Sequence, residues 1–275
     1  MHLCTKHEED IMNEQSKSQP IGFFDSGVGG LTVFEKVKAI LPNENYMYFG
    51  DLKNIPYGEK TKEQLIEFAD TIFKFFEVKG VKAVVMACNT TSAAAYETLK
   101  DNYSFKIYPI IQSCAKIIAD MDTEKIGVFA TKMTIETHAY SKELKKHKPN
   151  LEVFEMACPD WVKIVEEKTQ NKPENAALIE RDLKKMLENA PDKIVLGCTH
   201  YPYLLDVLSK FSPSELFIDP SKYFAEFIKD DLKKNNMLNQ EGKLGYEKFF
   251  VSANPEHFKT ASSVFYPLKE LPELV

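Results

Sequence analysis

The chain has 275 residues, 44% of them apolar, and a formal net charge of −6 with lysines and glutamates interspersed rather than blocked. That is enough for one large domain or two small ones, and it leaves no basic footprint for nucleic acid or a membrane surface. No apolar run approaches the roughly 20 residues of a membrane helix, and residues 1–20 (MHLCTKHEEDIMNEQSKSQP) lack the apolar centre of a secretory signal, so a cytoplasmic protein is expected.

The polar head, 1–20, reads as a loosely ordered extension. Short apolar runs then alternate with amphipathic segments. PIGFF (20–24), YMYFG (46–50), VKAVVMA (81–87), FKIYPII (105–111), KIGVFA (125–130), LEVFEM (151–156), KIVLG (193–197) and KFFVS (248–252) read as strands. Leu31, Phe34, Val37 and Leu41 share one helical face, as do Leu65, Ala69, Ile72, Phe73 and Phe76, and later Ile179, Leu183 and Leu187. Pro173 and Pro220 suit first helical turns. Strand and helix in steady alternation predict an α/β architecture with mostly parallel sheets.

Polar residues gather where the strands end, the usual place for ligands in open α/β sheets. IGFFDSGVGG puts Asp25 and Ser26 after a buried strand, with Gly27, Gly29 and Gly30 in the turn that follows. Such a turn cradles a small anion or simply reverses the backbone. The dinucleotide fingerprint fails for lack of its third glycine, and the Walker lysine is absent. FGDLKNIPYGE repeats the theme, with Asp51 at a strand end and Pro56, Tyr57 and Gly58 in a rigid turn suited to a ligand carboxylate.

KAVVMACNT (82–90) and KIVLGCTH (193–200) echo one another: a lysine, a buried strand, then Cys88 or Cys198 followed by hydroxyl or amide side chains. Segments 90–99 and 202–211 read as helices after the two cysteines, and a helix start favours the thiolate and lowers its pKa. His200 stands two residues beyond Cys198, and Glu166 is a candidate to orient it. Cys114 and Cys158 lack such a setting. The five cysteines are odd in number, scattered and without a CxxC, so neither a disulfide framework nor a structural zinc is expected. Two thiols without a metal suit a pair of bases on opposite faces of a carbon, one removing a proton and the other returning one.

In order and spacing, FDSGVGG, GD followed by PYG, ACNT and GCTHYP resemble the glutamate racemases of the cofactor-independent aspartate/glutamate racemase superfamily, over 21–258. The resemblance implies two pseudo-symmetric α/β domains with the active site in the cleft between them. The expected division is a polar N-terminal extension (1–20), a first domain (21–113 plus 221–275) and a second (114–220). It implies that Cys88 is the base on D-glutamate and Cys198 the base on L-glutamate. Asp25 would assist Cys88, and His200, supported by Glu166, would assist Cys198. Asp25, Ser26, Pro56, Tyr57, Gly58, Asn89, Thr90, Thr199 and His200 match substrate-binding positions. Asp51 matches a position near the site. Thr131 and Thr134 match a further segment, with Thr134 towards the side-chain carboxylate.

The resemblance further implies no cofactor and no metal, a homodimer, and D-glutamate supplied for peptidoglycan. Two departures stand out: Thr91 where alanine is commoner, and VSANPEHF, with Ala253 and Asn254, where a T-S-G-D type segment is usual. The 20-residue head is an addition; in some relatives such an extension accompanies regulation by a cell-wall precursor. Racemisation of another acidic amino acid such as aspartate, or a non-catalytic binding protein on the same scaffold, stand as alternatives.

Overall fold

Ten strands pair into two all-parallel sheets in the computed structural model, which describes residues 16–239 and 244–275. Cys4 and most of the expected extension lie outside the described residues. In chain order the strands are β1 (Ile21–Asp25), β2 (Tyr46–Gly50), β3 (Ala83–Met86), β4 (Lys106–Pro109), β5 (Lys125–Ala130), β6 (Glu152–Ala157), β7 (Lys193–Gly197), β8 (Phe217–Ile218), β9 (Glu247–Val251) and β10 (Glu273–Leu274). The first sheet runs β10-β9-β2-β1-β3-β4 and the second β6-β5-β7-β8.

The first four strands of each sheet follow one order. Each sheet begins in its middle (β1, β5), steps to one side (β2, β6), crosses to the other (β3, β7) and continues outward (β4, β8). Ile21 pairs with both Tyr46 and Ala83, and Ile126 with both Val153 and Lys193. The lysine–strand–cysteine echo is therefore topological: Cys88 and Cys198 follow equivalent strands. Both also flank the point where strand order reverses, where parallel sheets open a crevice at their carboxyl ends.

β1, β2 and β3 are buried along their whole length, which is why they read as unbroken apolar runs rather than alternating ones. The helix Leu31–Ile40 buries Leu31, Phe34 and Val37, and Phe34 meets Phe23 edge to face at 5.3 Å. Truncating Phe34 to alanine would cost about 3–5 kcal/mol. The helix Pro220–Lys234 packs on Leu31–Ile40 and on the helix Ile110–Ala119. It starts from Asp219, whose Oδ1 accepts from the Ser221 amide at 2.9 Å, and Lys36 reaches across to Asp219 and Ser221.

The structure departs from the sequence reading in four places. FKIYPII is not all strand: β4 stops at Pro109, and Ile110, Ile111, Cys114, Ala115 and Ile118 turn inward from a helix. β8 and β10 have two residues each, too short to show a period. The segment after Cys198 is a 3₁₀ turn, Tyr201–Leu204, followed by the single turn Leu205–Leu208, rather than one helix over 202–211. The described end of the head is tied down: Lys82 Nζ donates to Lys17 O at 2.5 Å and to Met237 O at 2.8 Å, and pairs with buried Glu44 at 2.5 Å. Three oxygen partners satisfy that buried ammonium. Among the described residues no helix is long and apolar enough to cross a membrane.

Candidate active site

Asp25 is the last residue of β1 and is fully buried. Its Oδ2 accepts from the Gly27 amide at 3.0 Å, while Oδ1 makes no hydrogen bond among the described residues. Burial raises its pKa to about 6, against the pull of nearby His200 and of the Gly27 and Gly30 amides. The glycines here serve close approach. A Cβ on Gly29 would lie 2.4 Å from Thr199 Oγ1 and 2.5 Å from the His200 ring, and one on Gly30 would lie 2.5 Å from Asp25 Cβ. The loop after β1 is thus pressed against the loop after β7, and Thr32 Oγ1 donates across the contact to Thr199 O at 3.3 Å.

Cys88 caps the helix Asn89–Leu99 and is 6% exposed. The sequence reading gave it a lowered pKa; here the balance runs the other way. Burial pushes the thiol up to about 12, Asp25 adds to the rise, and contacts from the Thr91 side chain and amide only partly offset it. In the closed site desolvation of a thiolate outweighs one helix start. Asn89, buried beside it, accepts from the Tyr140 hydroxyl at 2.6 Å.

Cys198 follows β7, is 7% exposed, and its sulfur lies 3.8 Å from His200 Nδ1. His200 Nε2 lies 3.1 Å from Glu166 Oε1. Burial disfavours the charged imidazole, but the bonds to Cys198 and Glu166 win and raise His200 to about 10. Glu166, whose side chain is 41% exposed, bonds to that ring and adds its charge to the influences raising Asp25. Cys198 also acts on Cys88: its charge is one of the influences raising the Cys88 thiol. Cys114 and Cys158 are fully buried, and burial pushes both thiols up.

Hydroxyls span the two sheets. Thr90 Oγ1 lies 2.9 Å from Thr131 Oγ1, which lies 3.0 Å from Thr134 Oγ1, joining the first turn of the helix after β3 to the start of the helix after β5, Lys132–Thr137. Gly58 packs on the same threonine, its Cβ position 3.1 Å from Thr131 Cβ. Tyr57 donates to Asp51 Oδ2 at 2.5 Å, and Asp51 Oδ1 accepts from Ser252 Oγ at 2.6 Å. The atypical VSAN segment thereby holds Asp51, and through it Tyr57.

Asp25, Cys88, Asn89, Thr90, Thr134, Cys198, Thr199 and His200 are all buried around the facing strand ends. Ser26 is half-buried, Pro56 is exposed at the rim, and Glu166 stands behind His200. Three contributors escaped the sequence reading. Tyr140 comes from a helix after β5, Ser252 from the far end of the chain, and Tyr48 donates to Gly27 O at 2.7 Å from inside β2. Only their tertiary neighbours reveal them.

The Asp/Glu/hydantoin racemase family model matches residues 26–227. A glutamate racemase of Thermoanaerobacter pseudethanolicus is 40% identical over 247 residues, 89% of this chain and 92% of that protein. The crystal structure of glutamate racemase from Francisella tularensis in complex with D-glutamate superposes with a TM-score of 0.88 at 31% identity, covering 94% of this chain and 98% of that one. That of glutamate racemase from Thermus thermophilus with β-chloro-D-alanine gives 0.84 at 32% identity, covering 94% and 97%.

Proposed function

The chain belongs to the Asp/Glu/hydantoin racemase family, and from that premise we propose that it interconverts L- and D-glutamate with Cys88 and Cys198 as the two bases. The observation that carries this reading is topological: two thiols follow equivalent strands of two like-ordered sheets, and each has its own ionisable neighbour. Inversion of a carbon needs such a pair, because the proton leaves one face and arrives at the other.

With D-glutamate bound, the Cys88 thiolate takes the Cα proton and the Cys198 thiol delivers its own to the opposite face, giving L-glutamate. Cys88 then carries the substrate's proton and Cys198 is ionised, which is the state that accepts L-glutamate. Asp25, ionised above about pH 6, is the anion beside Cys88 and faces the substrate ammonium. His200, protonated up to about pH 10, supports negative charge on Cys198. Ser26, Asn89, Thr90 and Thr199 bind the α-carboxylate and ammonium, with the Pro56-Tyr57-Gly58 turn closing over them and Thr134 towards the distal carboxylate.

The same reading extends to a division into 21–113 plus 221–275 and 114–220, to catalysis without cofactor or metal, to a cytoplasmic homodimer, and to D-glutamate supplied for peptidoglycan. A chiral assay of glutamate after incubation with the purified protein, with aspartate in parallel, tests it. Glutamate is expected to reach a 1:1 mixture. Faster turnover of aspartate would reassign the substrate, since one methylene moves the distal carboxylate, and inertness toward both would favour a binding protein.

A further inference from the structure

Thr91 is the one hydroxyl of the ACNTT segment that neither the fold nor the proposed substrate contacts employ. It is fully buried, and its Oγ1 makes no hydrogen bond among the described residues. Its neighbours are engaged: Thr90 Oγ1 with Thr131, and Ser92 Oγ with Gln112 Oε1 at 2.9 Å. Other helical hydroxyls of the chain donate to the carbonyl one turn back, as Thr71 does to Glu67 O and Thr260 to Glu256 O, the usual recourse of a hydroxyl inside a helix. Thr91 does not.

Its position suggests what it is for. Thr91 is the third residue of the helix that Cys88 caps, and a third residue faces the capping side chain. Elsewhere in this chain that geometry is a completed box: the Gln64 amide donates to Thr61 Oγ1 at 3.3 Å, and Gln64 Oε1 accepts from the Thr61 amide at 3.0 Å. At Cys88 the capping group is a thiol, a weak acceptor while neutral and a strong one once ionised.

We propose that Thr91 is a positioning residue whose hydroxyl, idle beside the Cys88 thiol, donates to the Cys88 thiolate together with its own amide. A donor that finds its partner only in the charged state stabilises that state selectively. The Thr91 side chain and amide are also the groups that draw the Cys88 thiol down against its burial. This assignment rests on the reading of Cys88 as a base.

The test compares Thr91→Val, which keeps the shape without the hydroxyl, with Thr91→Ser, which keeps the hydroxyl. Alkylation of the full chain by iodoacetamide at about pH 8, resolved by cysteine with mass spectrometry, gives a Cys88 rate that follows its thiolate fraction. Thr91→Val is expected to slow Cys88 alkylation about tenfold, leaving alkylation of Cys198 unchanged. The kcat/KM for racemisation at pH 7 should fall about three- to tenfold, equally in both directions because no variant alters the equilibrium constant. Thr91→Ser should restore both readouts. A Cys88 alkylation rate unchanged in Thr91→Val, or slowed as far in Thr91→Ser, overturns the assignment. If the Cys88→Ser variant is inactive, that result sinks Thr91 alone; if Cys88→Ser still racemises, the reading of Cys88 itself falls.

Discussion

His200 Nδ1 lies 3.8 Å from the sulfur of Cys198, and the other ring nitrogen is taken by Glu166. A single imidazole thus links a buried thiol to a carboxylate that water reaches. Glu166→Gln takes the negative charge out of one of the two bonds that hold His200 near 10 against its burial. In a ¹³C-histidine NMR titration the His200 midpoint should fall towards its ordinary 6.5, and racemisation should drop about tenfold. An unmoved midpoint would break the link. Because the folded value is the raised one, the stabilisation His200 lends is complete below pH 6.5 and lost as pH rises through about 10.

Asp25 titrates in the same sense as His200 but at lower pH, so its loss is already felt at neutral pH. Its carboxyl is raised from 3.8 to about 6 by burial, so the fold holds its proton more tightly than the unfolded chain does. Stability is therefore lost as pH rises from 3.8 through about 6. Asp25→Asn escapes that loss and should be more stable than the parent at pH 8, by on the order of 2–3 kcal/mol, and nearly equal at pH 4. Urea unfolding at the two pH values measures it. The same variant should lose about a hundredfold in kcat/KM, and a variant less stable at pH 8 would contradict the account.

The Thr90–Thr131–Thr134 chain joins helix starts that follow strands of the two sheets, so it should govern substrate retention more than proton transfer. Thr131→Val is expected to raise KM for both enantiomers about tenfold while kcat changes less than about threefold. A kcat loss with KM intact would place these hydroxyls in the chemical step instead.

The VSAN segment gives a mutational contrast. Ser252→Ala frees Asp51 Oδ1 and the Lys53 amide, which donates to Ser252 Oγ at 2.9 Å. It should cost about 1 kcal/mol in denaturant unfolding and a few-fold in kcat/KM through Tyr57. Asn254 sits at φ 47°, where glycine is free of strain, so Asn254→Gly should be tolerated without loss of activity.

Much of this was legible in the sequence because parallel strands write their burial as apolar runs and their ends as polar clusters. β1, β3 and β7 announce Asp25, Cys88 and Cys198 in that way. What stayed hidden depends on contacts far along the chain. The glycines at 29 and 30 read as a turn until Thr199, His200 and Asp25 are seen against them. Tyr140 and Ser252 have no local signature at all. The sense of the Cys88 shift was misjudged because a helix start is visible in sequence whereas the depth of burial is not.

The central claim is tested most directly by following the Cα proton of D-glutamate in D₂O with the purified, chelator-treated protein and no added pyridoxal phosphate. Two opposed bases predict that newly formed L-glutamate carries deuterium at Cα while unreacted D-glutamate keeps its proton at early times. Equal early wash-in to both enantiomers would mean one base serving both faces, and an absence of exchange would contradict racemisation altogether.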